Sequence, residues 1–135
     1  MFKYLKTIGA HCGAPEPEYM GVSDNCTITS GSLCEMHSGV LTSKFTQGKS
    51  KFITLEDKES GDGNTKIKCM RVLPGMIFAV DFEGEIANID VGTLVSPTTD
   101  SDGYYCYCGE GSGALEVVDT SDYDKMGKIA LTIHC

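Results

Sequence analysis

The closing stretch of the chain decides the fold. It contains GTLVS at 92–96, SDG at 101–103, GALEVV at 113–118 and GKIALTI at 127–133. Each short apolar run is bounded by glycine or by Asp and Ser turn residues, a pattern that is typical of short antiparallel strands joined by turns. The spacing leaves no room for the helices that a parallel βαβ core requires. The sequence therefore predicts a mainly β protein, built as a small antiparallel β-barrel or sandwich.

Two segments show the regular alternation of strands with one buried face. Every second residue of 76–82 is a large apolar one, and in 128–133 the apolar residues alternate with polar or small ones. A type II turn is predicted at Pro74-Gly75, directly before the first of these strands. Because no helical period is sustained in the chain, we expect less than about a fifth of it to be helix. The predicted shared core consists of Phe78, Val80, Ile129, Leu131 and Ile133.

The N-terminal part of the chain lacks a sustained period. Residues 1–38 contain Pro15, Pro17 and several glycines, and proline disfavours helix both at its own position and in the preceding residue. We interpret 1–38 as an extended N-terminal arm and loop-rich lead-in, followed by a β-rich domain at 39–135. We expect that domain to fold without residues 1–20. Within it, the polar run 57–64 predicts a surface loop, and the broken alternation at Met70-Arg71 predicts a bulge.

Composition narrows the class of protein. The 135 residues suffice for one ordinary domain, and a hydrophobic content of 41% is enough for a globular interior. A net charge of −8 disfavours a surface that follows nucleic-acid phosphates. No apolar run approaches the roughly 18 residues of a membrane span, and the opening MFKYLKTI lacks the pattern of a signal peptide. We therefore expect no nucleic-acid partner, no membrane partner and folding in a cytoplasm.

The chain also has an unusual number of cysteines, namely Cys12, Cys26, Cys34, Cys69, Cys106, Cys108 and Cys135. In a short secreted chain they would suggest a disulfide framework. However, an odd count leaves one thiol over, and a reducing cytoplasm keeps thiols reduced. We expect most of them to be small buried apolar side chains. Cys106 and Cys108 would share a strand face and offer half of a metal site to Cys12, Cys34 or the His134-Cys135 end, but no second close pair is present.

Other polar patterns match only fragments of functional motifs. His11-Cys12 and His134-Cys135 place a base beside a thiol, yet adjacent residues of an extended segment point to opposite faces. The glycine-rich run 109–113 precedes a strand and not a helix, so it predicts a hairpin loop and not a phosphate site. The run 100–103 lacks the distal glutamate of a calcium loop and predicts an Asp-rich turn. The acidic pairs lie in turns, and they are Glu16/Glu18, Glu83/Glu85 and Asp122/Asp124.

These observations predict a protein that is not an enzyme. No catalytic, cofactor-binding or metal-ligating residue is predicted, and no cofactor is expected. A domain without such chemistry is expected to act through its surface, as an interaction or structural protein.

The order of elements through 92–96, 113–118 and 127–133 resembles that of the small decoration, or cement, proteins of tailed-phage heads. The resemblance covers the C-terminal half of the chain. It implies a β-rich fold, β-tulip-like or SH3-like, that is clamped onto the outer surface of the major capsid protein. Binding across capsomer seams would then add buried area to a shell stressed by packaged DNA. The expected partners are the major capsid protein and, on the capsid, further copies of this chain as a homo-oligomer; the expected location is the virion.

A different class of function has the same β pattern. A secreted or surface disulfide-linked adhesion or binding module would also be a small β-rich domain with several cysteines. A free-thiol assay under denaturing conditions separates the two, since seven reactive thiols favour the capsid protein and one favours the module. A small metal-dependent enzyme is a third alternative, which would require bound metal.

Overall fold

The computed structural model describes residues 1–8, 15–22, 27–46, 48–59, 65–101, 103–111, 113–120 and 128–134. Within these residues the chain is almost entirely β. One short 3-10 turn, Ile86–Asn88, lies between the strands that end at Glu83 and begin at Leu94. None of the described segments forms a helix that is long and apolar enough to cross a membrane. The strands are β1 (Lys3–Thr7), β2 (Glu18–Gly21), β3 (Thr27–Ile28), β4 (Leu33–His37), β5 (Val40–Thr42), β6 (Lys51–Thr54), β7 (Lys58–Glu59), β8 (Lys66–Arg71), β9 (Met76–Glu83), β10 (Leu94–Thr99), β11 (Tyr105–Glu110), β12 (Leu115–Asp119) and β13 (Lys128–Ile133).

Five of these strands close into a barrel. Antiparallel pairs join β9 to β13, β13 to β12, β12 to β10 and β10 to β11. The barrel closes where β11 returns to β9 in a parallel pair, with Tyr107 opposite Asp81 and Cys108 opposite Phe82. Closure leaves the barrel strands without a free edge. The predicted small, mainly β barrel is therefore confirmed, with further strands outside it.

Alternate side chains of the barrel strands fill the interior. The predicted shared core is confirmed, because one buried cluster contains Phe78, Val80, Ile129, Leu131 and Ile133. Met76 and Phe82 continue the same face of β9, and Val95 and Leu115 contribute from β10 and β12. We call this the barrel cluster. It includes side chains from well outside the barrel strands, so the barrel does not fold around its own residues alone.

A second layer continues the sheet beyond the barrel. Tyr105 of β11 pairs with Leu33 of β4, and the sheet then runs through β6 and β8 to β2. All four residues of β6 are buried, because Ile53 belongs to the barrel cluster while Phe52 faces a second buried cluster. The second cluster comprises Val22, Ile28, Cys34, Leu41, Phe52, Ile67, Cys69, Tyr104 and Cys106.

Burial on both faces also explains the broken alternation in β8. Cys69 lies in the second cluster and its neighbour Met70 lies in the barrel cluster. The strand pairs with β6 in an unbroken register, with Cys69 opposite Thr54 and Met70 opposite Ile53. The bulge predicted at Met70-Arg71 is therefore wrong. Two successive apolar residues mark a strand with two dry faces and not an extra residue in the ladder.

The described part of the segment 1–38 is built into the sheet. It supplies β1, which pairs with β9, and β2, which pairs with β8. Phe2 lies in the barrel cluster, and its ring meets that of Phe78 edge-on, with the centroids 6.5 Å apart. A boundary at residue 38 falls inside the β4–β5 hairpin. The interpretation of 1–38 as a separate arm, with residues 1–20 dispensable for folding, is therefore corrected, since these residues carry sheet pairings and core contacts.

Two loop interpretations also change. The glycine-rich run 109–113 is not a hairpin loop, because β11 and β12 both pair with β10 and the chain between them crosses over that strand. At the crossing, a Cβ on Gly111 would lie 2.3 Å from the Ser96 hydroxyl, so the close approach needs glycine. In the polar run 57–64, Lys58–Glu59 form β7 and pair with β3. The remainder of that run, 60–64, lies outside the described residues.

Candidate functional site

The described structure has a concave groove on the outside of the barrel. It has a volume of about 710 Å³ and lies between residue 8, the segment 48–50, the turn 73–75 that joins β8 to β9, and the ends of β12 and β13. We call it the turn groove. Its residues come from five separate stretches of the chain, so it exists only once the sheet has formed.

The predicted type II turn at Pro74-Gly75 shapes one end of this groove and is confirmed. Gly75 has a φ of +86°, and the Met76 amide donates to the Leu73 carbonyl oxygen at 3.3 Å. The Ile8 amide donates to the Gly75 carbonyl oxygen at 2.8 Å, and this hydrogen bond fixes the end of β1 against the turn. A Cβ on Gly75 would lie 2.4 Å from the Ile8 carbonyl oxygen. The position therefore requires glycine for its backbone and for the close approach of β1.

The groove is lined mainly by apolar side chains. Its floor contains Val72, Ile77 and Ile133, which are buried, while Leu73 and Ile8 stand at the rim with 41% and 61% of their surface exposed. Apolar groups of this size gain free energy when a partner covers them, at about 25 cal/mol per Å². A concave apolar surface on a rigid barrel is the kind of feature that binds another molecule.

Basic side chains surround this apolar floor. Arg71 forms two parallel hydrogen bonds with the Glu18 carboxylate, each 2.9 Å long, and they hold the pKa of Glu18 below its ordinary value. His134 contacts the Glu116 carboxylate at 2.7 Å through Nε2. Lys49 lies at the rim and is exposed. The described residues of the lining include no acidic one, although acidic residues outnumber lysine and arginine by 19 to 11 in the chain.

A buried ion pair lies behind the wall of the groove. Glu35 of β4 and Lys51 of β6 are opposite each other in the sheet, and both side chains are completely buried, with Oε2 and Nζ 3.2 Å apart. The His37 Nε2 atom lies 2.5 Å from the other carboxylate oxygen. Lys51 Nζ also lies 4.8 Å from the centre of the Phe45 ring. Such burial is tolerated only when both charges are paired and hydrogen-bonded.

The same ion pair holds the backbone of Thr46 and Lys49 in place. Glu35 accepts a hydrogen bond from the Thr46 amide at 2.6 Å, and Lys51 Nζ donates to the carbonyl oxygens of Thr46 and Lys49 at 2.5 and 2.7 Å. Residues 48–50 line the turn groove. The buried pair therefore positions one wall of the groove through backbone hydrogen bonds.

The ion pair predicts an acid-sensitive stability. Burial alone would raise the pKa of Glu35, but hydrogen bonds from His37, Thr46 and Lys51 outweigh it and lower the pKa from 4.5 to about 2. A carboxylate whose pKa is lower in the folded than in the unfolded protein stabilises the fold at any pH above the unfolded-state pKa. That contribution is lost as the pH falls through the folded-state pKa. We expect a loss of roughly 3 kcal/mol between pH 5 and pH 2 from this group. Denaturant unfolding across this pH range should show that the free energy of unfolding falls less steeply with decreasing pH in Glu35→Gln than in the wild type. The same pH dependence in both proteins would contradict the assignment of this loss to Glu35.

The structure separates the two cysteines that were expected to share a strand face. The pairing of β10 with β11 shifts by one residue between Thr98 and Thr99, and Cys106 is the extra residue of the resulting bulge. As a result Cys106 lies in the second cluster and Cys108 in the barrel cluster. Within the described residues, no three His, Cys, Asp or Glu side chains come together as metal ligands. Of the other proposed ligands, Cys34 lies in the second cluster and His134 contacts Glu116, whereas Cys12 and Cys135 lie outside the described residues.

Buried cysteines of this kind are unreactive. Burial raises the pKa of the Cys69 thiol to about 11 and that of Cys108 to about 12, so both remain protonated at neutral pH. Cys34 and Cys106 are buried as well. The interpretation of the cysteines as small core residues is confirmed for these four, while Cys12, Cys26 and Cys135 lie outside the described residues.

The remaining polar patterns have structural partners where the structure describes them. Asp100 accepts a hydrogen bond from the Tyr104 amide at 2.9 Å and closes the β10–β11 turn, as an Asp-rich turn requires. Glu18 is engaged by Arg71, and His134 by Glu116. The pair His11-Cys12 and the pair Asp122/Asp124 lie outside the described residues. None of the sequence patterns pointed to the turn groove or to the Glu35–Lys51 pair.

Comparisons with known proteins found no similar protein. The chain matches no protein-family model, and neither a curated protein nor a solved structure is detectably similar to it.

Proposed function

We propose that this chain is a structural protein of a virus particle, which binds the outer surface of the major capsid protein and stabilises a phage head. The observation that carries the proposal is the turn groove, an exposed apolar concavity on a barrel whose interior is already filled by side chains. A filled barrel offers its outer surface and not its interior to a partner. The resemblance in the order of C-terminal strands supports a capsid as that partner.

The proposed mechanism is stabilisation by binding and involves no chemical turnover. A ligand that binds only the assembled shell stabilises it by about 2.7 kcal/mol per site when its free concentration is a hundred times its Kd. Many copies on one shell add these contributions. The proposed partners are the major capsid protein and neighbouring copies of this chain, and the proposed location is the virion surface.

The alternative is a disulfide-linked adhesion module. Cys69, Cys106 and Cys108 are buried thiols without a disulfide. A disulfide framework would be expected to use strand-borne cysteines such as these as its cross-links. Their state therefore favours the capsid protein over the module.

The proposal predicts that an acidic residue at the rim of the groove weakens binding to heads. Leu73→Asp places a charge where an apolar contact is expected, and we expect roughly a tenfold to hundredfold loss of affinity, since burial of a leucine contributes about 1.5–3 kcal/mol. Co-sedimentation with undecorated heads measures the affinity. Val91→Asp is the matched control, because Val91 is 65% exposed and does not line the groove. Equal binding by both variants would exclude the groove as the contact surface.

A further inference from the structure

The connection between β5 and β6 is tied to the sheet by side chains. It is described at residues 43–46 and 48–50, and none of these belongs to a strand. Within this described part, the one hydrogen bond between backbone groups joins the Lys49 amide to the Thr46 carbonyl oxygen at 3.4 Å. The bonds from its backbone to the sheet go to the side chains of Glu35 and Lys51. Backbone that lacks ladder bonds opens at a lower free energy than the strands beside it.

The ammonium group of Lys51 has no spare donor. Its three hydrogens match three oxygens, namely the Glu35 carboxylate at 3.2 Å and the carbonyl oxygens of Thr46 and Lys49 at 2.5 and 2.7 Å. The carboxylate in turn accepts from the Thr46 amide and contacts His37 Nε2. Because both charged side chains are completely buried, each charge depends on these partners in place of water.

Glu35 is the only carboxylate in this cluster of described residues. The other titratable groups beside it are His37 on β4 and Lys51 on β6, and the connection itself contains Lys44 and Lys49. The strand β5 has the sequence VLT and adds no charge. On the other side of β6, Arg71 of β8 has its own carboxylate partner, Glu18. The cluster therefore contains one anion among several basic groups.

Protonation of Glu35 removes that anion, while the lysines keep their charge because lysine loses its proton only in strong base. The ammonium group of Lys51 is then a buried charge without a counter-charge, which is strongly unfavourable. The cost is relieved when Lys51 turns toward water. That movement releases the carbonyl oxygens of Thr46 and Lys49, which are the attachment points of the connection.

We propose that the Glu35–Lys51 pair is a pH-sensitive switch, which holds the β5–β6 connection against the sheet while Glu35 is ionised and releases it when Glu35 is protonated. The barrel stays folded during this release, because β9 and β13 keep their own pairing and core. Residues 48–50 line the turn groove, so the release changes the shape of the groove. The switch is a property of the chain itself, whichever partner binds in the groove.

The direction of the pH dependence follows from the contacts of Glu35. Burial opposes its ionisation, but hydrogen bonds from His37, Thr46 and Lys51 outweigh burial and hold the pKa of Glu35 at about 2 in the closed form. In the open form the carboxyl group regains the ordinary pKa of 4.5. The closed form is therefore most favoured above pH 4.5 and is lost as the pH falls toward 2.

Amide hydrogen exchange of the isolated chain tests the switch. We expect the protection of the Thr46 amide, corrected for its intrinsic exchange rate, to fall at least roughly tenfold between about pH 5 and pH 2, while amides of β9 and β13 stay protected. In Glu35→Gln the same loss should already be present at neutral pH. Glu56→Gln is the matched control. Glu56 also accepts a backbone amide, from Lys68 at 2.9 Å, but in the described residues it has no lysine or arginine within ion-pair distance.

Two results would overturn the switch. If the amides of Thr46 and β9 lose protection together as the pH falls, acid unfolds the whole chain and there is no local release. If Thr46 keeps its protection in acid, or in folded Glu35→Gln, then Glu35 does not hold the connection. The pH series of the wild type decides the matter even where Glu35→Gln does not fold. None of these measurements involves heads, so failure of the switch and failure of the proposed function are separate results.

Discussion

Replacing Lys51 with methionine is expected to lower the free energy of unfolding by about 3–5 kcal/mol. The change removes the only lysine or arginine side chain within ion-pair distance of the Glu35 carboxylate in the described residues. It leaves the negative charge of a completely buried carboxylate without this partner. It also removes the hydrogen bonds from Lys51 Nζ to the carbonyl oxygens of Thr46 and Lys49. Denaturant unfolding, followed by far-ultraviolet circular dichroism, measures the change in the free energy of unfolding.

The double variant Lys51→Met with Glu35→Leu separates charge from packing. Replacing both members of a buried pair by apolar residues is often nearly neutral, so we expect most of the lost stability to return. Lys58→Met is the control for a lysine in an exposed strand. A single Lys51→Met variant with the stability of the wild type would show that the pair is not buried as described.

Replacing Phe78 with alanine is expected to cost about 3–5 kcal/mol as well. Phe78 is completely buried in the middle of β9, and its ring meets those of Phe2 and Tyr4 edge-on, with centroid distances of 6.5 and 6.1 Å. The substitution removes the ring from the barrel cluster and leaves a cavity that the closed barrel cannot collapse to fill. Tyr19→Ala removes an aromatic ring that is 61% exposed and should have little effect. Equal unfolding midpoints for the two variants would contradict the described register of β9.

The barrel strands could be predicted because their signals are local. In β9 and β13 one face is buried, so the apolar residues recur at every second position and identify both the strand and its inner face. The turn at Pro74-Gly75 has a similar local cause, since the left-handed backbone at its second position requires glycine. These features are determined by residues that lie close together in the sequence, so a single sequence is enough to predict them.

The N-terminal strands could not be predicted because their partners are distant in sequence. Lys3 pairs with Ala79, and Glu18 pairs with Cys69. Neither β1 nor β2 alternates regularly, because each is short and lies at an end of the sheet. In β8 the burial of both faces imitates a bulge, and in β11 a bulge displaces Cys106 from the face that Cys108 occupies. The alternation of apolar residues in the sequence cannot distinguish a strand that is buried on both faces from a strand that contains a bulge.

The turn groove and the ion pair were missed for a related reason. Glu35 and Lys51 resemble ordinary strand residues with outward-facing charges, and nothing in their sequence positions shows that both side chains are completely buried. The groove depends on the meeting of Ile8, Lys49 and the turn at 73–75, which no spacing in the sequence links. One partial signal existed, because Leu73 is a large apolar residue beside an exposed Pro-Gly turn.

A cryo-electron microscopy reconstruction of heads saturated with this chain tests whether it binds the outer surface of the shell. We expect additional density on that surface, into which the barrel fits with the turn groove and Leu73 against the major capsid protein. Heads that carry no additional density after incubation with excess protein would contradict the proposed function. Density in which the turn groove faces solvent would contradict the role assigned to this surface.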